Sequence, residues 1–314
     1  MEWDPTQFFR DDEPPSPFAL IILNQPINET ALALLRKHAL LTVCADGGAN
    51  RFYDWMSTHN REGSELPDVI IGDLDSVRPA VRTHYENLGV RVIEDEDQYS
   101  TDFTKSLRYL RSHAGEILSS SSSGIAGTPN RLEILVMGGL GGRVDQAFSQ
   151  IHHLYLMSSL YSSSSSSSST APAAATTTTT TTQPQNHPVT GDLYLISEES
   201  ITFILARGKN TIHTPRTNRG DLARLTPHEK QNEKQNENDP PPFLEENIGI
   251  VPLCGPARIT TRGFQWDVEN WSTEIGGQLS TSNHIRSERV EIESDVAVLF
   301  TLELAGRLKR VQNR

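Results

Sequence analysis

From Phe18 onward the chain alternates short apolar runs with segments of helical spacing. FALIILN is followed by ETALALLRKHA, LLTVCAD by ANRFYDWMS, and DVIIGD by RPAVRTHYENLG. VRVIED then precedes TDFTKSLRYLRSHAGEIL, LEILVMGG precedes VDQAFSQIHHLYLMSSL, and DLYLIS is a sixth run. Continuous apolar runs separated by amphipathic helices predict a parallel sheet covered by helices on both faces. After Glu199 the rhythm changes. ITFILARGKNTIHT, GIVPLCG, ARITTRGFQWDV, QLSTSNHI, RVEIES and VAVLFTLEL read as short strands between Gly, Pro and Asn turns, an all-β unit of sandwich or barrel type. The expected fold class is therefore α/β plus all-β, with the boundary near residue 200.

Several segments fall outside this rhythm. Residues 1–17, rich in Pro and acidic residues, read as a disordered leader. Residues 119–123 lead into GIAGTPN, a lengthened loop. The Ser/Thr tract at 162–188 lacks the apolar surface needed to offset ordering entropy. A polar, Pro-rich insert covers 226–247. The expected organisation is a leader at 1–17, an α/β unit at 18–200, a β unit at 201–305 and a tail at 306–314.

Charge narrows the function. The chain has 28 Lys and Arg against 40 Asp and Glu, a formal net charge of −12. Such a balance argues against nucleic acid as a partner, because phosphate backbones select an excess of basic residues. No apolar run reaches membrane-spanning length, and no signal-peptide core is evident, so a cytoplasmic location is expected. Cys44 and Cys254 make neither a disulfide framework nor a zinc site.

In an open parallel sheet, ligands bind beyond the carboxyl ends of the strands. The residues there are Asn24-Gln25-Pro26, Asp46 with Gly47-Gly48, the Asp73-Leu74-Asp75 triplet, the stretch ending at Asp102, and Gly138 to Gln146. Asp73 and Asp75 face one way if the backbone stays extended. Two adjacent carboxylates repel unless one is protonated or a cation lies between them. A polar turn capping the next helix explains the pair equally well; Asp46 and Asp102 on neighbouring loops favour a metal. The glycines at 138, 139, 141 and 142 allow backbone amides to approach an anion, and Arg143 can pair with a phosphate, although a tight strand-to-helix turn has the same composition. Thr101 or Ser100 is placed to cap the helix that Asp102 opens, with Lys105 exposed in its first turn. In the β unit, Trp266 offers a face for a cationic or aromatic ring, with a core role as the alternative. Ser280, Thr281, Ser282 and Asn283 form either a hydrogen-bonding set or a turn.

Together LNQP, CADGGANRFYD, GDLDSVRPAV, DQYSTDFTKSL, GGLGGRVDQ, SEES, GFQWDV and LSTSN occur in the order found in eukaryotic thiamine pyrophosphokinases, which this chain resembles from about residue 18 to 305. The resemblance implies an α/β ATP-binding catalytic domain followed by a thiamine-binding β-sandwich. It implies transfer of pyrophosphate from ATP to the thiamine hydroxyl, with Mg²⁺ as cofactor, in a homodimer whose active sites lie between subunits. The family's metal positions fall on Asp73, Asp75 and Asp102, with Asp46 close by. Its nucleotide-facing loop falls on Gly138, Gly139, Gly141, Gly142, Arg143 and Asp145. Gln98 matches a polar position near the substrate, and Trp266, Ser280, Ser282 and Asn283 match the thiamine-contacting set. Asp102 or Asp73 is then the proton acceptor. Two rivals are a different metal-dependent nucleotide enzyme with its own D-x-D motif, and a protein that binds thiamine or a nucleotide without catalysis.

Overall fold

The computed structural model describes residues 1–12, 14–120, 131–165, 189–219 and 241–310. Much of the lengthened loop, the Ser/Thr tract and the polar insert lies outside the described residues. The elements run β1 (Glu2–Trp3), β2 (Phe18–Ile22), α1 (Glu29–Leu35), β3 (Leu41–Ala45), α2 (Gly48–Thr58), β4 (Val69–Gly72), α3 (Pro79–Asn87), β5 (Arg91–Glu94), α4 (Asp102–Ser120), β6 (Arg131–Met137) and α5 (Val144–Ser165). They continue with β7 (Val189–Ile196), β8 (Ser200–Leu205), β9 (Gly208–His213), β10 (Thr217–Asn218), β11 (Leu244–Val251), β12 (Ala257–Arg262), β13 (Trp271–Thr273), β14 (Ser280–His284), β15 (Arg289–Ser294) and β16 (Val298–Leu304).

Among the described residues the strands form two sheets. The larger has the order β10-β11-β16-β8-β7-β6-β2-β3-β4-β5, with β14 paired to β11. From β7 to β5 neighbouring strands are parallel. β8 then turns back antiparallel on β7, and β16 and β11 extend the sheet antiparallel. The expected boundary near residue 200 thus falls inside one continuous sheet. A hairpin joins the two units: the Ser197 hydroxyl accepts from the Ser200 N–H and its amide donates to the Ser200 carbonyl. The smaller sheet has the order β1-β9-β15-β12-β13.

Two cores follow. On one face, Phe18, Leu20 and Ile22 of β2 pack with Leu32, Phe52 and Tyr85 of α1 to α3. The same core continues under the smaller sheet, where Ile212, Ile259 and Ile292 meet Phe203, Ile250 and Phe300. On the other face, Ile21, Val43 and Ile134 pack under Phe103, Leu107 and Leu110 of α4 and Leu154 of α5. The inner strands β2, β3, β4 and β6 are buried on both faces, which is why their sequences read as continuous apolar runs, whereas β5 is a partly exposed edge strand.

Residues 1–12 correct the disordered-leader expectation. β1 pairs parallel with β9, and a 3-10 turn follows at Gln7–Phe9. Trp3, Phe8 and Phe9 are buried, and the Trp3 indole donates to Asn210 Oδ1 at 3.0 Å. Three large aromatic side chains, each worth roughly 1.5–3 kcal/mol when buried, outweigh a Pro-rich, acidic composition. The polar insert also ends earlier than expected. Phe243 is buried and β11 begins at Leu244, because Leu244, Ile248 and Ile250 supply an inward row. Residues 306–310 fold back, and the Asn28 side chain donates to the Leu308 carbonyl.

The strand order contains a switch point. From β2 the chain moves outward through β3, β4 and β5, then crosses to β6 on the opposite side of β2. The loops after β2 and β6 therefore diverge and leave a crevice at their carboxyl ends.

Candidate active site

Three aspartates from three loops meet on this rim. Oxygens of Asp46, after β3, of Asp73, after β4, and of Asp102, opening α4, all lie within 4.8 Å of one another. Gly72, the last residue of β4, makes the approach possible. A Cβ there would stand 2.6 Å from Asp46 Cβ and 2.9 Å from Asp102 Oδ1. The Asp73 N–H donates to Asp102 Oδ1 at 3.3 Å. The Thr101 hydroxyl accepts the Thr104 N–H at 3.2 Å and so caps α4, fixing where Asp102 emerges.

Asp46 is the most enclosed member, 3% exposed and held at a φ of 42°. Its Oδ2 accepts the Ser76 N–H at 3.2 Å, while its buried Oδ1 has no hydrogen-bond partner among the described residues. Burial, more than any other influence, holds this carboxyl above the usual aspartate range, and the Asp102 charge adds to it. A buried oxygen without a donor, beside two more carboxylates, fits a cation.

Asp75 departs from the expected arrangement. Leu74 has a φ of 63°, so the backbone is not extended, and the rule that residues i and i+2 share a face does not apply. Asp75 lies outside the three-aspartate group; it is exposed, and its Oδ1 accepts the Ser76 hydroxyl at 2.7 Å. Lys105 departs in the opposite sense. It is 1% exposed, with Nζ 3.3 Å from Asp102 Oδ1 and 4.0 Å from Asp73 Oδ2. A lysine in a helix's first turn opposes the macrodipole, and that misfit is the signal in the sequence for its carboxylate partners.

Two cavities adjoin the rim and share Gln25. One, of about 390 Å³, is lined by Asn24, Asp46, Ser76, Asp102, Arg143 and Gln146 among others. The other, of about 850 Å³, lies between the glycine loop and the β11–β14 edge, with Gly138, Gly139, Gly141, Ser197, Thr281 and Ser282 in its wall. Gly138 has a φ of 79°, and a Cβ on it would come 3.0 Å from Gln25 Cβ. The loop is steadied from below by buried Gln150, whose Oε1 accepts the Leu140 N–H at 2.6 Å. Arg143 is exposed and forms a two-point ion pair with Asp145, Nε–Oδ1 at 3.1 Å and Nη2–Oδ2 at 2.6 Å. Gly142, just before Arg143, has a φ of 72°. Gln150 and Lys105 are members that strand-end reading did not single out, and Gln25 it placed on the rim without a role.

The remaining predicted positions scatter. Gln98 is exposed in the turn before α4 and lines neither cavity. Trp266 is 54% exposed, which removes the core alternative, and its ring centroid is 5.1 Å from that of His284. Asn283 is buried; its Oδ1 accepts the Trp266 N–H at 3.1 Å and its Nδ2 donates to the Trp266 carbonyl at 2.9 Å. It therefore holds the Trp266 loop. The Ser-Thr-Ser-Asn segment is not a free turn but strand β14, Ser280 pairing with Ile250. Ser282 is turned toward the larger cavity at a φ of 58°.

A doubly wound sheet with an acidic trio beside a glycine loop at its switch point defines a class: open α/β proteins with a ligand crevice at the carboxyl ends of the strands. Comparison with known proteins gives the particular family. The model of the thiamin pyrophosphokinase catalytic domain matches residues 32–164, and that of the thiamin pyrophosphokinase vitamin B1 binding domain matches 231–299. Thiamine pyrophosphokinase 1 of Arabidopsis thaliana is 31% identical over 91% of this chain and 86% of its own. Thiamine pyrophosphokinase of Saccharomyces cerevisiae is 31% identical over 84% and 78%. The solved thiamin pyrophosphokinase from Candida albicans superposes with a TM-score of 0.69 at 26% identity, covering 97% of this chain and 93% of that one. The chain belongs to the thiamine pyrophosphokinase family, a family of enzymes.

Proposed function

We propose that the chain transfers the pyrophosphoryl group of ATP to the hydroxyl of thiamine, giving thiamine diphosphate and AMP. The observation that carries this reading is the convergence of Asp46, Asp73 and Asp102 beside a cavity that also receives Arg143. Asp46, Asp73 and Asp102 would hold Mg²⁺, with exposed Asp75 reaching the ion through water. The ion would offset charge on the phosphate oxygens. The chain's own part is positioning and neutralisation. Arg143 exchanges Asp145 for a phosphate oxygen, and the amides of the loop at Gly138, Gly139, Gly141 and Gly142 face the phosphate chain. A carboxylate of the trio accepts the hydroxyl proton as the β-phosphorus is attacked and AMP leaves. Gln98 reaches the acceptor from the turn before α4.

The same reading assigns residues 18–200 to catalysis and 201–305, as a sandwich, to thiamine. Trp266 stacks on the cationic thiazolium, with Ser280 and Ser282 nearby and Asn283 fixing the loop. It makes the protein a homodimer with active sites between subunits. Exposed Tyr99, Val144 and Phe148 on the catalytic unit, and Trp266, Ile275 and Leu279 on the other, supply apolar surface for that contact. It also places the protein in the cytoplasm, where Cys44 and Cys254, both free thiols, persist reduced. Among the described residues no helix is long and apolar enough to cross a membrane. The test is purified protein with ATP, Mg²⁺ and thiamine. Equal yields of AMP and thiamine diphosphate are expected; ATP turnover indifferent to thiamine overturns the reading.

A further inference from the structure

Lys105 has no role in the reaction as described, yet it is the most enclosed charge on the rim. Its side chain is fully buried, and its ammonium lies 3.3 Å from Asp102 and 4.0 Å from Asp73. Asp102 lines the 390 Å³ cavity and Lys105 does not, so Lys105 reaches the cavity's contents only through the carboxylates. Asp102 and Lys105 stand one turn apart on α4, the spacing at which two side chains meet on one helix face. Burying an ammonium is costly without anionic partners, and crowding three carboxylates is costly without a cation. Each cost is met by the other group.

We infer that Lys105 is a built-in counter-cation that fixes the charge of the rim cluster at the value one divalent ion neutralises. The trio carries a formal −3, and Lys105 brings it to −2. It holds Asp73 and Asp102 together before metal arrives, and afterwards it limits how tightly the ion is held. Lys105 is thus a positioning residue that acts through Asp73 and Asp102 without touching substrate. This inference rests on the metal reading above.

The experiment compares wild type, Lys105→Met, and Asp73→Asn combined with Lys105→Met, without nucleotide. Thermal unfolding is followed in EDTA and across a Mg²⁺ titration, and Mg²⁺ affinity is measured by calorimetry. Lys105→Met is expected to lower the metal-free Tm by several degrees while tightening Mg²⁺ binding about tenfold, because a nearby positive charge no longer opposes the ion. Its Tm gain on saturation exceeds the wild-type gain. The double variant, again at a formal −2, recovers most of the metal-free Tm. A residue that merely fills space would lower Tm without tightening Mg²⁺. Unchanged or weaker Mg²⁺ binding in Lys105→Met overturns the inference while the metal reading stands. A wild type indifferent to Mg²⁺ instead overturns the metal reading. If Lys105→Met fails to fold with or without Mg²⁺, the double variant decides: its folding supports charge balance, and its failure overturns it.

Discussion

The parallel sheet carries a carboxylate cluster at each end, and the two are built from the same parts to opposite effect. At the carboxyl ends of the strands Asp46, Asp73 and Asp102 sit with Lys105. At the amino ends, Glu133 of β6 and Asp192 of β7 sit with Arg131. In the second cluster Glu133 Oε2 accepts the Asp192 N–H at 2.5 Å, and the Arg131 guanidinium donates to Asp192 at 3.3 Å. Gly191 makes room, since a Cβ there would lie 2.4 Å from the Glu133 carboxyl. Among the described residues, no carboxylate oxygen of Glu133 or Asp192 is left buried without a partner. At the rim, Asp46 Oδ1 is left without a donor and the trio borders a cavity. Buried acids therefore do not by themselves announce chemistry. What separates the clusters is an unmatched oxygen facing a space that a ligand can enter.

The largest effect expected from this contrast is in the rim. Asp102→Asn should lower kcat by about 10³-fold, the scale of losing one charge-stabilising group in a preorganised site. Tm in the absence of metal should shift by only a few degrees, because the amide keeps an acceptor for the Asp73 N–H and Lys105, and relieved carboxylate repulsion offsets the weaker pairing with Lys105. Steady-state kinetics at saturating Mg²⁺ together with calorimetric scanning would check both, and normal kinetics would break the contrast. The matching change at the other end is Arg131→Leu. It takes the guanidinium from the buried Asp192 carboxyl, so the expected loss is roughly 3–5 kcal/mol of stability in urea unfolding, with KM values for both substrates unchanged in the folded fraction. A large kinetic change there would give that cluster a catalytic role.

How much of this was legible in the residues differs along the chain. Asp46, Asp73, Asp102 and the glycine loop could be placed because strand ends in a parallel sheet share one rim, a rule that needs only the apolar rhythm. Asp75 could not, because the left-handed turn at Leu74 is a property of one φ angle in a residue type that rarely adopts it. Lys105 was legible only as a cation misplaced in a helix's first turn, because its burial depends on carboxylates up to 32 positions away in the chain. Trp3, Phe8 and Phe9 were hidden in polar, Pro-rich composition, and their burial depends on β9 and on a core assembled far along the chain. Local pattern reports which residues prefer an interior; it does not report which distant partner provides one.

A smaller effect probes how far the rim's chemistry extends into the β unit. Trp266→Ala should raise the KM for thiamine about threefold to tenfold and leave the KM for ATP alone, in keeping with the loss of a partly exposed cation–π contact. Asn283→Ala, which removes both hydrogen bonds to the Trp266 backbone, should produce the same shift indirectly. If Trp266→Ala leaves the thiamine KM unchanged, the exposed indole serves something other than the acceptor, and the rim's influence stops at the glycine loop.

The smallest effect is a slope. Burial pushes the Glu133 carboxyl up to about 8 from an ordinary 4.5, and Asp192 adds to the shift. A carboxyl that binds its proton more tightly folded than unfolded contributes stability that is complete below the unfolded value and is lost as pH rises through the folded one. Between about pH 4.5 and 8, Glu133 should therefore make the protein less stable with each step upward, and above 8 the loss should be finished. Glu133→Gln keeps an acceptor for the Asp192 N–H and cannot ionise. At pH 5 its Tm should match wild type within a degree or so, and at pH 8.5 it should exceed it, with kcat unaffected at either pH. Asp46 on the rim, whose carboxyl is also raised by burial, gives a slope of the same sign, but Glu133→Gln leaves it in place, so the difference between variant and wild type reports Glu133. A Glu133→Gln variant whose stability still falls across this window as wild type does would mean that the carboxyl ionises without cost, and the sealed cluster would then be as open to water as the rim.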